Sequence, residues 1–453
     1  MLGADGDRHH AEGMHHNRAS IPTVRMILLL TLVVMTVMIA APSEGAPVSK
    51  ISDVPPAPWL DLPEEPQPTP LVNRMFSEIL GRIQEVLAAR WGGAWLSFET
   101  DHVALNVSAV QPTAVEQSAV EAIVKSYPDF PYALNPIVPV SYSYDDLVRF
   151  YEVIDAALAQ RGDSRIGVGV RPDLGKIVVE VPSPDSPEID VLSRLLPNDA
   201  VIFTVSPPVF GTALIGRVDI PPYKAGKVLK NVDATVPPGA TATCTSGPVF
   251  TGDNGSGWDG VLMGSTAGHC YRLNQRVADG GGDVVGRASV SPITFWTGNP
   301  AEGDAALLPL SISGADFQQR IIIDDFTQYE VPYWKRNSGI VVGLLVCASG
   351  ATVGYDCGYV TSAYPTRVPN IVYYDPSTGE QGVKAISHLA CSQGLSQGPG
   401  DSGAAVFVDI GWDEATAVGL VSNIYSPLGT CFDTVGHINQ STPGHIWNAS
   451  AVP

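Results

Sequence analysis

Cysteine is missing from the first 243 of the 453 residues; all six, Cys244, Cys270, Cys347, Cys357, Cys391 and Cys431, lie in the remainder. A disulfide framework is thereby excluded for the first half, and the step in composition implies two domains of different history. Positive charge is scarce as well, 26 Lys and Arg against 46 Asp and Glu for a net −20, with acids in excess in both halves. Such a chain offers no cationic footprint for phosphate, which excludes nucleic acid as a partner. No C-x-x-C pair supports zinc binding. Charged residues make up only 16% against 45% hydrophobic, which rules out disorder for most of the chain. The apolar run Met26 to Ala41 has 16 residues, fewer than the roughly 18 to 20 needed to span a bilayer.

That run follows Arg18 and Arg25 and ends in small residues before Pro42, the pattern of a secretory signal peptide over residues 1–45, with a retained anchor as the rival. Secretion to the extracellular space, with no stable membrane insertion after signal cleavage, is the expectation. His9, His10, His15 and His16 lie upstream of the run and would leave with it, so no metal site is assigned to them. The Pro-rich and acidic residues 46–70 form a linker. Apolar residues from Met75 to Leu87 recur at helical spacing within a helix expected over Met75 to Arg90. Two alternating stretches, Ala94 to Ala109 and Ile166 to Ser183, resemble one another and read as hairpins. Each precedes a helical stretch, near 114–125 and 187–196, and a further strand, near 137–143 and 201–206. Residues 71–208 therefore read as two ββαβ units with an extra helix near 144–160. His102 reads as a solvated turn residue.

Residues 209–233 are rich in Pro and Gly and read as a junction; beyond them, from 234 to 453, short Val, Ile, Leu and Tyr runs alternate with turn residues, the pattern of an all-β sandwich or barrel. Forty-five glycines and 38 prolines fit many short turns. An even cysteine count in an exported chain implies three disulfides, although six cysteines permit fifteen pairings.

Three segments of this half hold the side chains that an activated serine requires: TAGHC with His269, EGDAALLPL with Asp304, and GPGDSGAAVF with Ser402. A free hydroxyl is a weak nucleophile at neutral pH; an imidazole must take its proton, and a carboxylate must fix the imidazole tautomer. Asp304 precedes an apolar run that would bury a strand, whereas Asp283 and Asp316 open no such run.

TAGHC, GDSG, the His–Asp–Ser order and the cysteines together resemble the chymotrypsin-fold serine endopeptidases, in particular the secreted bacterial group of streptogrisins and α-lytic protease. The resemblance covers about Ala225 to Pro453. It implies two antiparallel β-barrels behind an α+β propeptide domain, and the pairs Cys244 with Cys270, Cys347 with Cys357 and Cys391 with Cys431. The backbone N–H groups of Gly400 and Ser402 would form the oxyanion hole, and Asp401 would sit in a buried ion pair. Leu389 and Ala390 match the base of the substrate pocket, where no Asp stands to bind a basic side chain, so an apolar P1 residue is favoured. Ser422 matches the strand that pairs with the substrate backbone. His437 matches a strand forming another pocket wall, where glutamate-specific relatives carry histidine. The chain departs from the group at Ala404, where glycine is usual, and in its longer segment from Cys391 to Gly400.

The resemblance implies no cofactor and no metal. Its partners would be polypeptide substrates and the chain's own propeptide, acting as folding aid and inhibitor until cut away between Val209 and Asp233. A catalytically silent relative serving as an extracellular binding module is the alternative. An α/β-hydrolase esterase, with Asp409 or Asp413 and then His437 or His445 after Ser402, leaves TAGHC unexplained.

Overall fold

The computed structural model describes residues 69–98, 102–163, 165–205, 223–235, 243–253, 257–288, 294–296, 301–309, 317–323, 327–425, 428–442, 444–447 and 449–452. The signal expected over 1–45, the linker expected over 46–70 up to residue 68, most of the junction, and Asp316 lie outside these residues; Thr69 and Pro70, read as linker, instead begin a helix. No helix among the described residues is long and apolar enough to cross a membrane.

Helix α1, Pro70–Leu87, begins five residues before its apolar period because Thr69 Oγ1 accepts from Val72 N and Pro70 stands in the first turn. Its buried face carries Met75, Phe76, Ile79, Leu80 and Ile83. Strands β1, Trp91–Phe98, and β2, Val103–Val110, form an antiparallel hairpin. Helix α2, Ala114–Lys125, is started by a Thr113–Glu116 capping box. The short strands β3, Ala133–Leu134, and β4, Val138–Val140, lie parallel to β2. Ser143 and Asp146 cap helix α3, Tyr144–Arg161, and Gly162 ends it in the left-handed region. A second hairpin, β5, Gly167–Arg171, with β6, Lys176–Val181, follows. Helix α4, Glu188–Leu192, leads to β7, Val201–Val205, parallel to β6.

The cysteine-bearing half is almost entirely strand. Its first strands are β8, Tyr223–Ala225, β9, Val228–Asn231, β10, Thr243–Thr245, β11, Phe250–Gly252, and β12, Leu262–Thr266. Next come β13, Arg276–Asp279, β14, Val284–Arg287, β15, Ala306–Pro309, β16, Phe317–Ile322, β17, Gln328–Lys335, and β18, Leu345–Ser349. The long strands β19, Tyr355–Tyr374, and β20, Gln381–Gln393, precede β21, Ala405–Gly411, β22, Glu414–Tyr425, and β23, Gly429–Thr434. Helix α5, Val435–Ser441, and strands β24, Gly444–Ile446, and β25, Ser450–Val452, complete the chain.

Six of these strands close into an antiparallel ring in the order β18, β19, β20, β23, β22, β21 and back to β18. Closure removes the exposed edges that a free sheet would present. Two four-stranded sheets, β10-β9-β13-β14 and β15-β12-β11-β24, lie beside it. Among the described residues no strand pairing joins these two sheets into a second ring. β9 pairs with β10 and β13, so 228–231 fold with this half although the sequence reads them as junction.

The cysteine-free half is joined to the ring by main chain: β5 pairs antiparallel with β19, Val170 opposite Ala363 and Val168 opposite Arg367. One apolar cluster then runs from Phe76, Ile79 and Tyr151 to Val346, Val360 and Phe432, across both halves. Full burial of each aliphatic member is worth ~1.5–3 kcal/mol relative to exposure. Two buried basic side chains mark the same boundary. Arg367 donates to Asp155 Oδ1 (2.6 Å) and to Ile166 O (3.1 Å), while Lys335 Nζ donates to Ser77 Oγ on α1 (2.8 Å).

Candidate active site

Asp304 lies two residues before β15, whose residues Ala306 to Pro309 are all buried. It is fully buried itself, and its carboxylate accepts three hydrogen bonds. His269 N donates to Oδ1 (2.8 Å), while His269 Nδ1 (2.7 Å) and Ser422 Oγ (2.6 Å) donate to Oδ2. Because an ionised carboxylate only accepts, the imidazole proton sits on Nδ1 and Nε2 keeps its lone pair. Burial pulls the His269 pKa down, but the charge of Asp304 and its hydrogen bond outweigh that pull, so the value stands above the ordinary 6.5. His269 follows β12 on a single 3₁₀ turn, Gly268–Cys270, and its ring meets Phe295 edge-on at 5.7 Å.

Ser402 sits half-buried in the turn that enters β21. Backbone contacts bring this turn to the histidine segment. Thr245 N donates to Ser402 O (2.8 Å), Thr245 Oγ1 donates to Gly400 O (2.7 Å), and Thr266 Oγ1 donates to Thr245 O (2.8 Å). Gly403 N donates to Val421 O (2.6 Å), next to the Ser422 that holds Asp304. Gly403 has φ 91°, and a Cβ there would come within 2.6 Å of Ala267 N and 2.3 Å of Thr266 Oγ1, so glycine is what permits the approach. Among the described residues no hydrogen bond joins the Ser402 hydroxyl to the His269 ring. The N–H groups of Gly400 and Ser402 likewise have no acceptor among them, whereas the Asp401 N–H between them donates to Gly398 O (2.9 Å). Two unpartnered donors on one turn are what an oxyanion requires.

Asp401 is buried, but among the described residues it forms no ion pair of the kind expected. Its carboxylate accepts instead from the backbone N–H groups of Thr352 (2.6 Å), Gly398 (2.8 Å) and Val353 (3.2 Å). A carboxylate ringed by peptide donors needs no cation to satisfy its lone pairs. Burial nevertheless raises its pKa against the lowering effect of these bonds.

Leu389 and Ala390 are both fully buried on β20, with Leu389 in an apolar cluster that includes Phe295, Ile386 and the Cys391–Cys431 pair. Ser422 lies where the β22–β23 register slips between Val421 and Asn423, and its side chain serves Asp304. His437 is not on a strand: Thr434 Oγ1 accepts from His437 N and starts helix α5, which carries the imidazole to Asp433 Oδ1 (2.7 Å). Ala404 is buried within the apolar cluster shared by both halves, so its methyl group is accommodated. The segment after Cys391 is pinned by Thr430 Oγ1 donating to Leu395 O (2.6 Å). Asp283 is exposed in the β13–β14 turn. His445 pairs with Asp253, so neither His437 nor His445 is bonded to Asp409 or Asp413.

The three disulfides are Cys244–Cys270, Cys347–Cys357 and Cys391–Cys431. Cys244, His269 and Cys270 crowd together at metal-like spacing, but both sulfurs belong to one disulfide and supply no thiolate. Thr245, Thr352 and Asp433 were not legible as site residues; each acts through a backbone contact that no local motif signals.

The described chain is mostly β with a few helices, and its neighbours among solved structures are bacterial chymotrypsin-fold serine proteases. Nocardiopsis protease is 21% identical, covering 49% of this chain and 99% of that one with a TM-score of 0.34. Thermobifida fusca protease A is 19% identical over 48% of this chain and 93% of its own, with a TM-score of 0.32. An alpha-lytic protease homologue, N4, is 22% identical over 49% and 98%, with a TM-score of 0.33. No family model and no curated protein matches the chain.

Proposed function

We propose that the chain is a secreted serine endopeptidase made as a zymogen. The observation that carries this reading is the His269 Nδ1–H bond to a buried Asp304 that two further donors hold in place. Ser402 Oγ attacks the scissile carbonyl while His269 Nε2 takes its proton; Asp304 steadies the imidazolium, and the Gly400 and Ser402 N–H groups receive the oxyanion. His269 then returns the proton to the leaving amine. Water, deprotonated by the same imidazole, attacks the acyl-enzyme and frees Ser402. No Asp accompanies Leu389 and Ala390, which favours an apolar P1 residue.

In this reading residues 71–208 are the propeptide domain and 234–453, with the strands from Tyr223 onward, the protease. Strand β5 against β19 and the shared core would serve as the template for a ring of non-local strands. Cleavage is expected before Tyr223, because a later cut would remove β8 and β9 from the protease sheets. The test follows the chain during export: wild type should be cut within 209–222 while Ser402→Ala stays full length. Equal cutting of both would remove the autocatalytic claim. Failure of wild type to hydrolyse any peptide after that cut would favour the silent binding module.

A further inference from the structure

Asp433 and His437 lie four residues apart, yet neither has a part in the mechanism above. Asp433 is the penultimate residue of β23 and is fully buried. Its Oδ1 accepts from His437 Nδ1 (2.7 Å), and its Oδ2 accepts from the backbone N–H of Asp304 (2.7 Å). The carboxylate that orients His269 is thus itself held through its main chain by a second buried carboxylate. Gly303, with φ 96°, lets the loop lie flat on this pair: a Cβ there would sit 2.5 Å from both Asp433 Oδ2 and His437 Cε1. His437 is fixed in turn by stacking on His388, at 4.8 Å and 9° between planes.

We propose that Asp433, oriented by His437, is a positioning residue for Asp304, fixing where its carboxylate meets His269 Nδ1. This inference rests on the serine endopeptidase reading. The carboxylate is already held at its tip by three donors, so what Asp433 adds is control of the backbone from which that carboxylate hangs. Without it a buried N–H loses its acceptor, and the 301–305 segment can relax. A displacement near 1 Å at a catalytic group costs on the order of 10²-fold in rate. The loss belongs in kcat, because Asp433 itself meets no substrate in this arrangement.

The test uses the full chain, exported, with active sites titrated by a fluorophosphonate. Asp433→Ala and His437→Phe should lower kcat by about 10²-fold with KM changed less than about threefold. His437→Asn, whose amide N–H can replace Nδ1–H toward Asp433, should recover most of that loss. The low-field proton resonance of the His269–Asp304 bond should weaken or move in Asp433→Ala and His437→Phe and return in His437→Asn. Folding is checked independently by the near-ultraviolet circular dichroism of each variant. Folded variants with wild-type kcat, or a loss expressed wholly in KM, or a His437→Asn no better than His437→Phe, would overturn the proposal. If wild type itself took up no fluorophosphonate, the endopeptidase reading would fail instead, and the two failures are distinguishable in one series.

Discussion

Removing the Ser422 hydroxyl tests whether the Asp304 carboxylate is held by the three donors that the geometry assigns to it. In Ser422→Ala the fully buried Oδ2 keeps His269 Nδ1 and loses a partner at 2.6 Å. A hydrogen bond to a charged group is worth ~1.5–3 kcal/mol. If that loss is felt wholly in the transition state, where His269 is cationic and Asp304 must stay ionised, kcat falls about 10- to 150-fold. Asn423 Nδ2, which donates to Ser422 Oγ (3.0 Å), can turn toward the vacated space and offset part of it. The lower half of the range is therefore expected, with KM within about twofold. The assay is steady-state hydrolysis of an apolar-P1 peptide anilide, normalised by active-site titration. A kcat equal to wild type would refute the assignment of Ser422 to Asp304; a loss confined to KM would return Ser422 to substrate pairing alone.

The His269 pKa lies above 6.5, and the imidazole must be neutral to act as base, so kcat/KM should fall as pH drops through a value above 6.5. A pH–rate profile flat down to pH 6 would contradict this. Buried Lys335 has its pKa pushed down to about 7, so between pH 7 and 10 the folded chain holds fewer protons than the unfolded one; stability should rise with pH over that window. Denaturation midpoints should show that slope in wild type and its loss in Lys335→Met. Asp155→Ala leaves Arg367 buried without its carboxylate, a change that costs ~3–5 kcal/mol, and urea denaturation of the full chain should show it as a lowered midpoint. Gly403→Ala forces a methyl group onto the Ala267 backbone and should destabilise by ~1–3 kcal/mol or more, read as a drop in Tm together with lost fluorophosphonate uptake.

The His269 and Ser402 segments stand out in the sequence because each is a local string, TAGHC or GDSG, in which a reactive side chain and a turn share a few residues; that they supply base and nucleophile is the proposal. Asp304 was legible because the apolar run after it forms a buried strand, Ala306–Pro309, at whose mouth a carboxylate is placed. Asp401 was misread because sequence shows charge and not the peptide donors of Thr352, Val353 and Gly398 that replace a cation. His437 reads as a strand residue in sequence, but the capped turn begun by Thr434 interrupts the β-patterned stretch. The boundary between the halves was the least legible part. Arg367 meets Asp155 across 212 residues, and Lys335 meets Ser77 across 258, so no window of sequence contains either pair.

The central claim is tested most directly by the intact mass of the exported protein after treatment with a fluorophosphonate, beside Ser402→Ala. The account predicts one adduct, carried by a fragment that begins near Tyr223 and ends at Pro453, and none in the variant. An adduct that persists in Ser402→Ala, or a cut wild type that takes up no reagent, would contradict it.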